Sequence, residues 1–486
     1  MTLRFSLSAL SLALLLSGCA SFDGLHTSGK LLDANSLQAG NTLANGQSLS
    51  DASWPGSDWW NSLGDQQLDA LIAEALTSSP SLQIADARAR QASAAVAATD
   101  ASRQPTLDAN AGITRSRAAR VDDPTGQGAL FGTLRSASLD GSYRFDLWGG
   151  ERAAWEAALG RARASEVDQQ AARLTLAADV ARAYNQLGQA YSEQDIAEQD
   201  LARTRDMLKL SKQRLDAGLD SEFQLQQTQS LEAAAEAALT ATQQDVRSAQ
   251  IRLAVLLGKG PDRGNDLPKP SLIAPAQVAV PDNLPAELLG RRPDLVAARW
   301  RVEAAARDIA ATKTTFYPNL NLNAAVGTKS LLGDALFGTA SQFFSIGPAL
   351  SLPVFDGGRL RASLASRDAD YDLVVAQYNQ TLVNALGDIG DELTRFRSLE
   401  QQIEQQQRAS DIARRSYDIA MQRYRAGVGN YLDALSVEQQ LLQADRQLAS
   451  LQAERVDTAI LLMQSLGGGF QPQSVPVAAA AAPTVR

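Results

Sequence analysis

PNLNLNAAVG, residues 318–327, alternates with a period of two. Asn319, Asn321 and Asn323 fall on one side of an extended chain, and Leu320, Leu322, Ala324 and Val326 on the other. PTLDANAGI (105–113) repeats the pattern, with Asp108 and Asn110 opposite Leu107, Ala109 and Ala111. A third run sets Ser138, Asp140, Ser142 and Arg144 against Leu139, Gly141, Tyr143 and Phe145; its counterpart near 343–354 is less regular and ends in ALSLPVF. The alternation predicts two strand pairs, 105–115 with 136–147 and 318–328 with 343–354, joined by polar loops. Runs of this length suit a soluble hairpin with one wet face, and equally a tilted transmembrane strand. Four strands cannot close a barrel alone; three chains would supply twelve.

The two strand pairs belong to an internal repeat. LIAEALTSSPSL (71–82) aligns with LPAELLGRRPDL (284–295) at an offset of 213, which also carries Pro105 onto Pro318. Farther on the offset is 209: RLDAG (214–218) falls on RYRAG (423–427), Asp179 on Asp388 and Gly258 on Gly467. Each half predicts a helix starting near a proline (Ser81–Ser102, Asp294–Thr314), then the strand pair, then a proline-free helix of about 100 Å (Glu151–Ala217, Arg359–Ala426). Each long helix ends at a small turn, AGLDSEF or AGVGNYL, and a shorter helix returns. The expected organisation is a first repeat over 71–258, a Pro- and Gly-rich linker over 259–283, a second repeat over 284–467 and a low-complexity, disordered tail over 468–486.

The N-terminus reads as an export signal. Arg4 opens it, an apolar run from Phe5 to Leu16 follows, and small residues precede Cys19, the single cysteine of 486 residues. One cysteine makes no intramolecular disulfide and no cluster. Leu16-Ser17-Gly18-Cys19 is similar to the bacterial lipobox, which implies a signal peptide over 1–18, a diacylglycerol on the Cys19 thiol, and a lipid-anchored segment over 19–70. Ala20 in place of aspartate implies sorting to the outer membrane. The signal and lipid move the balance between soluble hairpin and lipid-facing barrel towards the barrel. Only helices and closed barrels satisfy every backbone group in lipid, and beyond the signal no apolar run is long enough for a helix.

The formal net charge of −9 argues against a nucleic-acid partner. The single histidine, His26, has no metal-ligand companions, and no phosphate loop or nucleophile motif is present, so neither an enzyme nor a metal site is expected.

Four stretches in order, WWNSLGDQQLDALIAEAL (59–76), RRPDLVAARWRVEAAARDIAATKTTFYPNLNLNAAVG (291–327), LPVFDGGRLRA (352–362) and RYRAGVGNYLDAL (423–435), carry a resemblance over nearly the whole mature chain. The chain resembles the TolC-type outer membrane efflux proteins, in particular the NodT/OprM-like lipoprotein branch serving resistance-nodulation-division (RND) pumps. The resemblance implies a mainly α fold with transmembrane β: a homotrimer forming a twelve-stranded outer-membrane β-barrel continued by a long α-helical barrel in the periplasm. It further implies a periplasmic adaptor (membrane fusion protein) and an inner-membrane RND-type pump as partners, and a passive exit duct for drugs or other small toxic compounds. No cofactor is implied beyond the covalent lipid on Cys19. Peptide or protein secretion, metal-ion export through the same duct, and a non-channel envelope scaffold remain as alternatives.

By the same resemblance Asp433 occupies one acidic position of the periplasmic gate, while the other matched positions hold Ser436, Gly429 and Gln224. The gate is therefore thinner in charge, and packing by Tyr431 or Leu432 is an alternative way to close it. Asp433 also reads as a solvated carboxylate at a helix start, near the positive end of the macrodipole. Gly218 and Gly427 suit left-handed helix caps, and with Leu219 and Val428 they form the tips expected to meet the adaptor.

Overall fold

The computed structural model describes residues 21–37, 54–117, 131–270, 289–330 and 336–471. The elements in order are α1 (Gln66–Ser78), α2 (Pro80–Ala101), β1 (Thr106–Arg117), β2 (Phe131–Phe145), α3 (Gly150–Asp216), α4 (Glu222–Leu256), α5 (Pro293–Thr314), β3 (Asn319–Ser330), β4 (Gln342–Ser351), α6 (Arg359–Arg425) and α7 (Tyr431–Ser465). From α2 to α4 and from α5 to α7 the same order of helix, two strands, long helix and return helix occurs twice. The long helices α3 and α6 are 67 residues each, and α4 and α7 are 35 each. Among the described residues no helix is long and apolar enough to cross a membrane.

The chain forms two compact units. The first contains the sheet, a four-stranded antiparallel meander in the order β1-β2-β3-β4, so the central pairing joins the two repeats. β2 begins at Phe131, earlier than the alternation suggested, because residues 131–135 continue the ladder opposite Arg117 to Ile113. β4 stops at Ser351, before Pro353, a residue with no N–H to give the ladder. Each long helix starts on an aspartate. The Asp146 carboxylate accepts from the amides of Glu151 (3.1 Å) and Arg152 (2.9 Å), and Asp356 from those of Gly358 (3.0 Å) and Leu360 (2.8 Å). Small residues let α3 approach α5: a Cβ on Gly160 would lie 3.1 Å from that of Ala304. Arg163 covers the Trp300 ring, and Arg161 pairs with Asp308 at 2.6 Å.

The N-terminal segment is fixed to the same unit. Phe22 packs edge-on against Phe316, and the amides of Ser28 and Gly29 donate to Asp372 at 3.0 and 2.6 Å. The Ser28 hydroxyl and then the Gly29 amide hold the Asp372 carboxyl below its ordinary range.

In the second unit the core gathers on α1 and the middle of α3. Leu68, Ile72 and Ala75 meet Ala178, Tyr184 and Leu187, with Leu253 and Leu257 from the end of α4 and Ile460 from α7. Each such leucine contributes roughly 1.5–3 kcal/mol by burial. Asp65 caps α1, accepting from Gln67 and Leu68, and its other oxygen accepts from the buried Tyr184 hydroxyl at 2.8 Å. Helix α1 thus begins at Gln66, ahead of the repeat boundary read at 71.

Part of the expected linker is ordered. Pro261–Asp266 forms a 3-10 turn, Gly264 is buried against Gln250, and Arg263 pairs with Glu74 at 3.0 Å. The expected tail is also packed at its start: Gly467 to Gly469 all have positive φ, and Phe470 is buried. The remainder of the linker and the tail from 472, like the signal over 1–18 and Cys19, lie outside the described residues.

Candidate functional site

The sheet has two chemically opposite faces, which the pairing register keeps across β1, β2 and β3, while β4 puts Phe343, Ser345, Gly347 and Ala349 on the polar side. Asp108 and Asn110 lie opposite Asp140 and Ser138, and Ser142 lies opposite Asn323. On this polar face Asn110 and Ser138 donate to Asp140 at 2.8 and 2.7 Å, and Thr106 shares a hydrogen bond with Ser142 at 2.8 Å. The other face carries Leu107, Ile113, Leu139, Val326, Phe344 and Ile346. In one chain these apolar side chains are uncovered: Leu107 is 72% and Phe344 83% exposed. Among the described residues both β1 and β4 pair on one side only, which leaves two open edges. Below the strands Trp148 stacks on Tyr317, with ring centroids 4.8 Å apart, and donates to the Pro318 carbonyl at 2.8 Å. Such a partly exposed aromatic pair fits a membrane–water boundary.

In the second unit the two helix turns have one backbone design. Gly218 (φ 70°) and Gly427 (φ 74°) are the left-handed residues that end α3 and α6. The Leu219 and Gly218 amides donate to Arg214 and Leu215 carbonyls, and Val428 and Gly427 amides to Arg423 and Tyr424 carbonyls. This is the paired 6→1 and 5→2 closure of a Schellman cap. The return helices start on Ser221, whose amide donates to the Gln224 side chain at 2.6 Å, and on Asn430, which accepts from Leu432 at 3.2 Å.

Side chains then tie one turn to the other. Arg214 Nε donates to Asp220 at 3.1 Å, its Nη1 donates to the Tyr424 carbonyl at 3.1 Å, and its guanidinium covers the Tyr424 ring at 4.6 Å. The Tyr424 hydroxyl donates to the second Asp220 oxygen at 2.6 Å. Tyr424 leans on Tyr431, whose hydroxyl meets Thr228 at 2.9 Å. The pair is buried, with the Asp220 side chain 2% and that of Arg214 14% exposed. Burial, and then the hydrogen bond to Asp220, push the Tyr424 hydroxyl well above its ordinary pKa.

Farther along the same helices sits a second buried group. Glu438 on α7 is 4% exposed, and its Oε1 has no hydrogen-bond partner among the described residues. Burial, then the neighbouring Asp200 carboxylate, push its pKa up to about 7 against the opposing pull of Arg203. Arg203 lies 3.7 Å from Asp200 and over the Tyr417 ring, and burial raises that tyrosine to about 12.

Of the residues singled out from sequence, Asp433 and Leu432 are exposed, as are Leu219 and Val428 at the tips. Tyr431 is buried within the chain and braces Tyr424. The residues that join the turns, Arg214, Asp220, Tyr424 and Thr228, were missed. The available signal was the alignment of the turns themselves, in which Asp220 falls on Gly429 and Leu215 on Tyr424. At Gly429 a Cβ would sit 2.9 Å from the Arg423 and Tyr424 backbone, so that position excludes a side chain.

An amphipathic sheet of membrane-spanning strand length, built on paired long helices, defines a subunit of an outer-membrane channel. The family model described as outer membrane efflux protein matches residues 71–259 and 284–468, and the chain belongs to that family. It is 36% identical over 378 residues to the fusaric acid resistance protein FusA of Burkholderia cepacia, spanning 75% of this chain and 69% of that one. It is 31% identical to the multidrug resistance outer membrane protein MdtP of Shigella flexneri, over 89% and 90% of the two chains. Among solved structures, the outer membrane protein VceC of Vibrio cholerae superposes with a TM-score of 0.78 at 35% identity, covering 86% of this chain and all of that one. The protein is thus a mainly α, two-repeat efflux channel protein of the outer membrane, and not an enzyme.

Proposed function

We propose that three copies of this chain close their sheets into one twelve-stranded barrel, continued by the helices as a passive exit duct. The cargo is drugs or other small toxic compounds, delivered by an inner-membrane RND-type pump through a periplasmic adaptor. The observation that carries this reading is the meander with two open edges and two opposite faces. In lipid an open edge strands its backbone groups at several kcal/mol each, so other copies must pair with it. The polar face then lines water and the apolar face meets acyl chains. The drug-type cargo follows the names of the relatives.

Three further assignments go with it. Cys19 carries the lipid; two residues on, the Ser21 carbonyl accepts from Arg361, close after the end of β4, where a membrane boundary would lie. Leu219 and Val428, apolar and exposed at the turns beside Gly218 and Gly427, form the surface for the adaptor. Asp433 and Leu432 narrow the idle duct, and Tyr431 holds them from behind. The test is conductance in planar bilayers. Purified protein should give a closed or small resting conductance that opens on cleaving or mutating the turns, whereas protein that never conducts would overturn the duct. For the anchor, labelled palmitate should enter the wild type and not Cys19→Ser, and labelling that survives the substitution would refute it.

A further inference from the structure

One carboxyl on the inner face of α7 is out of keeping with its neighbours. The buried residues of the first turns are Tyr431, Ala434, Leu435, Glu438 and Leu441, so Glu438 stands on a stripe that is otherwise apolar or aromatic. It lies two turns past Tyr431, about 10 Å along the helix. The titratable and charged groups around it are Asp200 and Arg203 from α3, Tyr417 from α6 and Tyr431 from α7 itself. Farther out, the exposed Arg446 acts on Asp200, and Asp206 and Arg425 act on Tyr417. Arg203 Nη2 is 3.7 Å from Asp200, three residues back on the same helix. Neither that nitrogen nor Arg203 Nε has a hydrogen-bond partner among the described residues, and nor does Glu438 Oε1. Both arginines thus favour an ionised Asp200, while the more deeply buried Glu438 faces that carboxylate without a hydrogen bond at Oε1. Of the two acids, Glu438 is the one that carries the proton. The aligned residue of the first repeat, Gln229, is exposed and uncharged.

We propose that Glu438 is a proton-operated latch: protonated, it lets the inner face of α7 lie against α3 and α6, and ionised, it is repelled by Asp200 and frees the start of α7. The latch belongs to the single chain; its consequence for conduction rests on the duct reading, in which the freed segment carries Leu432 and Asp433. Tyr431 passes the change to the turns, because it shares the inner face with Glu438, meets Thr228 and leans on Tyr424. The sign follows from burial. In the packed form burial and Asp200 hold the Glu438 carboxyl near 7, whereas in the freed form it reaches water and returns to the ordinary carboxyl range. Freeing of α7 therefore grows as pH rises between those two values and levels off above the upper one. Acidification fastens this end of the helices, and neutral or alkaline conditions loosen it.

The experiment is hydrogen exchange read by mass spectrometry on detergent-purified full-length protein between pH 5 and 8.5, corrected for the intrinsic pH dependence of exchange. In the wild type, exchange over 431–441 should speed up about ten- to hundredfold between pH 5 and 7.5, approaching tenfold per pH unit, and then level off. Glu438→Gln should stay at the slow, acidic level throughout. Glu438→Leu, which cannot ionise either, gives the same reading if the amide disturbs the fold. Asp200→Asn removes the opposing carboxylate and leaves Arg203 to Glu438, so the rise should shrink and end at a lower pH. Flat exchange in the wild type, a wild-type rise in both Glu438 variants, or a rise that Asp200→Asn leaves in place or moves to higher pH would each overturn the latch. Bilayer conductance over the same pH range separates the readings. A conducting channel with flat exchange sinks only the latch, and a step in exchange in protein that never conducts sinks only the duct.

Discussion

The two helix turns share a backbone and divide the chemistry. RLDAGLDSEFQ (214–224) and RYRAGVGNYLD (423–433) close with the same cap geometry around Gly218 and Gly427. The first turn contributes the charges, Arg214 and Asp220; the second contributes the rings, Tyr424 and Tyr431. At the aligned position where the first turn carries Asp220, the second carries a glycine with no room for a Cβ. Duplicated hairpins have thus become complementary, and each locks the other. The exposed residues beside them, Leu219 and Phe223 against Val428 and Leu432, stay apolar on both turns. The buried face of the pair joins the turns, and on the proposed reading the outer face, with Leu219 and Val428, meets the adaptor.

The largest effect should come from removing the charge that serves both turns. Asp220→Ala leaves a buried guanidinium and a tyrosine hydroxyl without their acceptor and should cost about 3 kcal/mol. Hydrogen exchange should then rise at both 214–224 and 423–433. Faster exchange at the first turn alone would show that the turns are not coupled.

Next in size is Glu438. Its folded pKa of about 7 lies above the usual carboxyl value, so between the two the folded chain holds a proton that the unfolded chain releases. Stability therefore falls as pH rises through that window. Glu438→Gln should match the wild type near pH 5 and exceed it at pH 8 by on the order of 2–3 kcal/mol. Parallel pH–stability curves for the two would contradict the assignment. Its aligned partner in the first repeat is Gln229, so the effect belongs to one half of the duplication.

Tyr431→Phe should cost about 1 kcal/mol, since it removes the Thr228 hydrogen bond and keeps the ring against Tyr424. A neutral result would place the brace in ring packing alone. Asp433→Ala should be smallest in stability, below about 1 kcal/mol, because the residue is an exposed carboxylate in the first turn of α7. It should nevertheless raise resting conductance. Unchanged conductance would assign the constriction to Leu432.

What the sequence revealed depended on range. Periods of two and 3.6 mark the strands and helices, and the internal alignment at 209 marks both turns. Pairing across the repeats was not legible. Arg214 and Asp220 read as ordinary surface charges, and Tyr424 as one ring on a long helix; only the folded chain brings residues some 200 positions apart within 3 Å. The glycines 467–469 read as the start of a loose tail, because composition does not reveal that Phe470 has a pocket. Glu438 carried no local mark, since burial at that depth comes from helices distant in sequence.

The central claim is that open sheet edges are closed by two further copies. Native mass spectrometry of detergent-purified protein, read beside infrared strand content, tests it most directly. The account predicts a trimer with the strands intact, while a stable monomer that keeps its full strand content would contradict it.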